Sequence, residues 1–389
     1  MKNIAVLDCL LGDNGKGHFT HHFSPKYDWV IRHAGSENCG HVIYRDGKKY
    51  THHYLPSADY RCKTVKSYLA SGMYINLENL LAEILLFEKD FPGVGESIYV
   101  DMDAFTISSG HIDLDKAHNT GVGSTGKGVG PAAVSKYSRN GSRVYNYMND
   151  DAEVIKKLKA VGVTFTTVLA MKEEFEKSRL LFEGSQGVML DINAGLYPYV
   201  TAGDCTVSGI AASGFNFVKL DRVYGMMKPY VTKAGSPGPL PTEMSSEDAI
   251  QWRELGGEIG ATTGKPRRIG YLDLPMLKYG IQKGGITHLI VCKMDIPEGQ
   301  RSIKTCVSYG KEVFSPSDFN NVNPTYLDLP CWKDSKDANQ TRSFLKYVES
   351  FTKTPIEYIS TGVKPEDVIS LAPKEPNTRL MDPFEFLTN

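Results

Sequence analysis

The chain has 389 residues, 41% apolar and 10% aromatic, enough to bury a large core and longer than one average domain, which excludes a disordered or fibrous protein. Lysine and arginine total 44 against 45 acidic residues, a formal net charge of -1, so no global positive field exists to hold a nucleic-acid polymer or an anionic membrane. Seven scattered cysteines (Cys9, Cys39, Cys62, Cys205, Cys292, Cys306, Cys331) lack CxxC spacing, which argues against a disulfide framework or zinc ribbon and for reduced thiols.

Met1 to Val6 leads into an apolar run without signal-peptide architecture, and no stretch of about 18 apolar residues follows. The expectation is a soluble, cytoplasmic protein. Ile4 to Leu11 is short, almost continuously apolar and rich in branched residues, the pattern of a strand covered on both faces. Similar runs recur at Trp29–Ile31, Ser97–Val100, Leu180–Phe182, His288–Val291 and Ile356–Ile359. Between them, Leu77, Leu80, Leu81, Ile84 and Leu85 form a helical stripe that stops near Pro92-Gly93. A second helix is expected from about Asp151 to Ala160, capped by an Asn-Asp-Asp cluster. Strands alternating with helices predict an α/β fold: a large, mainly parallel central sheet with helices on both faces. No linker, repeat or low-complexity segment divides the chain. One domain over residues 1–389 is therefore expected, with an excursion over about 110–149 and a surface-wrapping tail over about 370–389.

The 37 glycines gather in clusters. Gly12-Asp13-Asn14-Gly15-Lys16-Gly17 follows the first strand and opens a short helical pattern; glycines let backbone N–H groups close around an oxyanion, and Lys16 adds a point charge. Its spacing is not that of a Walker A loop, and a plain Gly-rich turn is the alternative. Gly35 to His41 follows the second strand and ends in a histidine able to donate to a phosphoryl oxygen, although a lone histidine is more often structural. Gly121 to Pro131 carries five glycines with Ser124, Thr125 and Lys127, suiting a second phosphate or merely a flexible loop. Glu183-Gly184-Ser185-Gln186-Gly187 precedes Tyr197 to Thr201, and Gly260 to Arg268 concentrates hydroxyls and cations, as an anion site or a solvated basic loop would. Lys293-Met294-Asp295 and Ser360-Thr361-Gly362 end two later strands. Five clusters thus lie just after the carboxyl end of a predicted strand, where open α/β sheets place their ligand crevice. Together they point to a mononucleotide enzyme with P-loop-like loops and two phosphate-bearing ligands.

Read together, GDNGKG, GSENCGH, GSTGKGVGP, EGSQGVMLDI with YPYVT, GPLPTE, GATTGKPRR, CKMD and STG resemble, in order and spacing, the adenylosuccinate synthetases from about residue 3 to residue 365. The likeness is closer to the shorter archaeal and phage forms. It implies a carbon–nitrogen ligase, usually a homodimer, that joins aspartate to C6 of a purine nucleotide with a nucleoside triphosphate and Mg²⁺. On this chain the resemblance makes Asp13 the base that removes the purine N1 proton, His41 the donor to the transferred phosphoryl group, and Lys16 a charge stabiliser. Asp13 and the Gly40 carbonyl would bind Mg²⁺. Asn14, Gly15, Lys16, Gly17, Gly40 and His41, with Lys293, Asp295, Ser360 and Gly362, would hold the donor. Asp13, Ser36, Asn38, Ser124, Thr125, Gln186, Thr201 and Lys265 would face the acceptor nucleotide, whose 5′-phosphate Arg139 would reach from the neighbouring subunit. Thr263 and Arg267 would hold the carboxylates of aspartate.

Four positions depart from the family pattern, which usually has glutamate at Asn14, glycine at Ser36, alanine at Cys39 and arginine at Lys265. A lysine cannot reproduce the fork of donors that the arginine offers near the ribose, and changes at 14 and 36 could accommodate a 2-amino group. These departures resemble the phage 2-aminoadenylosuccinate synthetases, which implies dGMP as acceptor and ATP as donor, for synthesis of diaminopurine DNA. The alternative is ordinary IMP- and GTP-dependent synthesis, since Lys293-Met294-Asp295 also resembles the family's guanine-reading motif; dATP is a third possible donor. A non-catalytic nucleotide switch is the remaining reading, opposed by the joint presence of Asp13 and His41.

Overall fold

The computed structural model describes residues 1–117, 121–234, 237–260 and 264–371. Ten strands form the central sheet: β1 (Asn3–Asp8), β2 (Trp29–Arg32), β3 (Lys66–Leu69), β4 (Ile98–Asp101), β5 (Thr164–Thr166), β6 (Leu180–Glu183), β7 (Arg222–Met227), β8 (His288–Val291), β9 (Ile356–Ser360) and β10 (Val368–Ser370). Their spatial order is β10-β9-β8-β7-β1-β6-β2-β3-β4-β5. Every neighbouring pair is parallel except β9 with β10. All six residues of β1 are buried, as a strand covered on both faces requires. Because the chain leaves β1 in one direction to build β2–β5 and later returns to build β7–β9 on the other side, the crevice at the carboxyl ends of β6, β1 and β7 is a topological switch point.

A second sheet of four strands, Tyr230–Lys233, Arg268–Asp273, Ser302–Ser308 and Thr325–Pro330 in that spatial order, stands beside the first. The excursion carries helices Ser109–Ala117, Val129–Tyr137 and Val144–Asn149; the first two help enclose a small cluster of Tyr74, Ile107, Val129, Ala132 and Ala133. Of the expected tail, residues 372–389 lie outside the described residues.

Helix Leu77–Glu88 starts where Asn76 accepts the Asn79 N–H. Leu85, expected on its packed face, is 46% exposed, and Phe87 is buried instead. At about 100° per residue Leu85 lies farther than Phe87 from the centre of the Leu77–Leu80–Leu81–Ile84 stripe. The next expected helix is Glu153–Ala160, and its N-cap is Ala152 without a side-chain bond. The Asn-Asp-Asp cluster does not cap it, because Asp151 turns the chain at a φ of 50° and pairs with Lys156 at 2.9 Å. All seven cysteines are free, and among the described residues no helix is long and apolar enough to cross a membrane.

Candidate active site

The only polar residue in the Ile4–Leu11 run, Asp8, organises the first loop. Its buried carboxylate accepts the N–H groups of Leu10, Gly12 and Asn14 at 3.0, 3.2 and 3.2 Å and the Asn14 Nδ2 at 2.9 Å, and it pairs with Lys16 at 3.3 Å. Gly12, Asp13 and Gly15 take left-handed φ values of 87°, 62° and 90°, which glycine adopts freely and which Asp13 adopts only because its neighbours hold it. Helix α1 (Lys16–Phe23) then begins, with Gly15 as an N-cap that has no side-chain bond, so its first N–H groups remain for an anion. Lys16 is buried and also donates to the Gln186 carbonyl. Asn14 is 2% exposed; its side chain is turned into the loop.

Across α1 stands His41. A Cβ on Gly17 would lie 2.8 Å from the Cβ of His41, so glycine is what lets the helix approach this histidine. Glu183, at the end of β6 and wholly buried, places one oxygen 2.5 Å from His41 Nδ1. Its other oxygen accepts the Ser57 N–H at 2.9 Å and lies 3.9 Å from Arg32. Burial holds the His41 imidazole below its ordinary range, Glu183 opposing. For Glu183 burial acts upward, but His41 and Arg32 outweigh it and keep the carboxylate well below the usual range. Ser36 and Cys39 sit behind this pair. Ser36 is fully buried, and the Cys39 thiol lies 2.5 Å from the Arg32 guanidinium, which also donates to Ser185 at 2.9 Å.

Gln186 turns with a φ of 49° and donates to Asn38 at 3.1 Å, and Asn38 in turn reaches Thr201 at 3.5 Å. Three expected acceptor contacts are therefore in one line beside Lys16. Ser124 is used internally, donating to Asp115 at 2.6 Å. Thr125 is exposed, and this loop is tied to the Gly35–His41 segment by Lys127 and Glu37 at 3.3 Å. Arg139, exposed at the turn after helix Val129–Tyr137 with a φ of 64°, is not brought to the other residues within this chain.

On the opposite wall, Arg267 Nε lies 2.8 Å from the Asp13 carboxylate. Arg267 also donates to Glu258 at 2.6 Å, and that carboxylate receives Lys228 at 3.0 Å, Lys293 at 2.8 Å and the Tyr230 hydroxyl at 2.6 Å. Lys228, wholly buried, holds the Asp13 carbonyl at 3.1 Å; burial brings its ammonium down to about 8 against the pull of Glu258. Beyond β8, Asp295 presents a buried oxygen without a partner among the described residues, and burial raises its carboxyl above the usual value. Ser360 ends β9 close by, its Oγ 3.4 Å from the Lys293 N–H. Gly362 is backed by Asp367, whose carboxylate would lie 2.3 Å from an added Cβ. Lys265 is exposed, and Thr263 lies outside the described residues. Sequence reading missed Asp8, Lys228 and Glu258; only Asp8 left a signal, as the one charge in an apolar strand.

The crevice thus gathers a helix N-terminus, a lysine, a histidine backed by a carboxylate, and an exchangeable Asp13–Arg267 pair. Among the described residues no group of three His, Cys, Asp or Glu could hold a metal by itself. Asp13, whose side chain is 34% exposed, and the partly exposed Gly40 do offer hard oxygen donors. They fit Mg²⁺, which takes one or two protein oxygens and completes its shell with phosphates and water.

The family model for adenylosuccinate synthetase matches residues 5–170 and 152–369. Adenylosuccinate synthetase of Petrotoga mobilis is 36% identical over 413 residues, covering 95% of this chain and 97% of that protein. The Thermotoga maritima protein of the same name is 34% identical, covering 95% and 100%. Among solved structures, the fully ligated Plasmodium falciparum adenylosuccinate synthetase superposes with a TM-score of 0.84 at 28% identity, covering 95% of this chain and 100% of that one. The cyanophage S-2L succinoaminodeoxyadenylate synthetase bound to dGMP and dATP shares the fold, with a TM-score of 0.72 at 23% identity and 95% of each chain covered. The loop after β1, the histidine across α1 and the arginine facing Asp13 therefore sit in a chain that belongs to the adenylosuccinate synthetase family of carbon–nitrogen ligases.

Proposed function

We propose that the chain joins L-aspartate to C6 of a 6-oxopurine nucleoside monophosphate, driven by a nucleoside triphosphate. The observation that carries this is the contact of Asp13 with Arg267 at 2.8 Å at the mouth of the first loop. A base and a carboxylate-binding guanidinium side by side are what addition of aspartate to an activated C6 requires. Asp13 takes the N1 proton, and O6 attacks the γ-phosphoryl group. His41, Lys16 and the N–H groups opening α1 receive the charge that develops on the phosphoryl oxygens. Arg267 then holds a carboxylate of aspartate, whose amine attacks C6 and expels phosphate. Mg²⁺, held by the Asp13 carboxylate and Gly40 carbonyl, would neutralise charge shared between the transferred and remaining phosphates.

IMP with GTP is the favoured pair. The unpartnered Asp295 oxygen suits guanine, whose N1–H and 2-amino groups both donate to a carboxylate. Asn14, Ser36 and Cys39, three of the four departures from the family pattern, are buried, and the Asn14 side chain is turned to Asp8 at 2.9 Å. Relatives at 34–36% identity bear the adenylosuccinate synthetase name. A second reading, dGMP with ATP or dATP, is favoured by Lys265, exposed on the aspartate loop, which lacks the fork an arginine would extend to a ribose. The dGMP- and dATP-bound cyanophage structure of the same fold keeps that reading in view. Exposed Arg139, near Val134 and Tyr137 at 66% and 76% exposure, fits a homodimer in which it completes the partner's acceptor-phosphate site. Offering IMP, GMP and dGMP separately, each with GTP, ATP or dATP, tests the assignment. Preference for IMP and GTP is expected; preference for dGMP establishes the second reading.

A further inference from the structure

Glu258 belongs to none of the sequence clusters, yet its wholly buried carboxylate is where three cations meet. Lys228 and Lys293 share one oxygen at 3.0 and 2.8 Å with the Tyr230 hydroxyl at 2.6 Å, while Arg267 takes the other at 2.6 Å. The cations and burial act in opposite directions on this carboxylate, and the cations win, keeping it ionised. Each cation touches a different part of the crevice. Lys228 holds the Asp13 carbonyl at 3.1 Å, and Arg267 pairs with the Asp13 carboxylate at 2.8 Å. Lys293, two residues before Asp295, also donates to the Gly256 carbonyl at 2.6 Å and lies where β8 ends.

We propose that Glu258 is a positioning residue that couples the donor-base side of the crevice to the aspartate side. One carboxylate with three cationic partners in a poorly solvated setting shares its attraction among them. Withdrawing one cation tightens its hold on the others. Arg267 must turn part of its fork from Glu258 and Asp13 toward the incoming carboxylate of aspartate, so the grip of Glu258 sets the affinity of that step. Lys293 modulates the grip from the donor side. The same carboxylate keeps Lys228 under the Asp13 carbonyl, maintaining the left-handed turn of Asp13.

The inference rests on the ligase reading, and its test uses whichever acceptor and donor the wild-type enzyme turns over. A wild type that transfers no aspartate fails the ligase reading; an active wild type with unmoved variants fails this one. In Lys293→Met the KM for aspartate should rise about fivefold, the lower end of common site-to-site couplings, although Lys293 is on the donor side. Glu258→Gln keeps the shape and removes the charge. It loosens the hold on Arg267 and Lys293 alike, so the KM for aspartate should fall about fivefold, opposite in sign to Lys293→Met, and the KM for the triphosphate should shift by a similar factor. A purely structural role would instead lower kcat through loss of folded enzyme and leave every KM in place. Circular dichroism establishes whether Glu258→Gln folds; if it does not, Lys293→Met, which alters a side chain 30% exposed, decides alone. An unchanged KM for aspartate in Lys293→Met, or wild-type KM values in folded Glu258→Gln, overturns the proposal.

Discussion

On the donor and aspartate side of the crevice, Asp8, Glu183 and Glu258 are 1%, 0% and 0% exposed, and each faces at least one cation. On the side of the glycine loop Thr125 and Arg139 are exposed, and among the described residues a partly exposed ion pair, Lys127–Glu37, ties that loop to the Gly35–His41 segment. The first side is organised before any ligand arrives, in the manner of preorganised electrostatic catalysis. The second is left for the nucleotide, and in our reading a second subunit, to complete.

Breaking the organised side should be expensive. Asp8→Ala leaves the Lys16 ammonium buried with the carboxylate that pairs with it among the described residues gone, and removes the acceptor of three loop amides; the expected loss is about 3–5 kcal/mol of stability by denaturant unfolding. A loss under about 1 kcal/mol would erase the contrast between the two sides. His41→Ala removes the donor that Glu183 holds in place, and turnover should fall about 10²–10³-fold. Steady-state kinetics check this, and a turnover within about tenfold of wild type would remove His41 from the chemistry.

A buried carboxylate without a facing cation among the described residues calibrates what pairing does. Asp273, wholly buried at the N-terminus of helix Leu274–Gly284, is raised to about 6 by burial, with hydrogen bonds from Tyr309, Met276 and Thr242 opposing. Its folded value lies above the unfolded value of about 4, so the folded state binds the extra proton between those pH values. That stabilising contribution is fully present below about pH 4 and lost as pH rises through about 6, amounting to at most about 3 kcal/mol. The stability of the wild type relative to Asp273→Asn should therefore fall between pH 4 and pH 7 in parallel urea titrations. A flat difference would mean that Asp273 is ionised like the paired carboxylates. The smallest effect belongs to the open side: Lys127→Ala should raise the KM for the acceptor nucleotide about two- to fivefold and barely change stability, as expected for an exposed pair.

The buried strand runs and the helical stripe at Leu77 were legible because burial on both faces, or on one stripe, dictates composition locally. So were Asp13, Asn38, His41 and Gln186, which sit at strand ends among glycines. Glu183 was visible as part of a cluster but not as the partner of His41, since that contact depends on how β6 inserts between β1 and β2. Lys228 and Glu258 left no local trace. Their role arises only when distant segments bring Asp13, Arg267 and Lys293 to one carboxylate. The second sheet was also missed, because its strands do not share the continuous apolar pattern; Thr325–Pro330 is mostly exposed.

The central claim is that Asp13 and Arg267 serve one ligation reaction, and aspartate dependence tests it most directly. Phosphate release from GTP is followed with IMP or dGMP present, with and without L-aspartate, in wild type and Asp13→Asn. The account predicts release that requires aspartate and matches formation of the C6 adduct one for one, and its abolition in Asp13→Asn. Release at the same rate without aspartate, or persisting in Asp13→Asn, would contradict it and favour a nucleotide-binding switch.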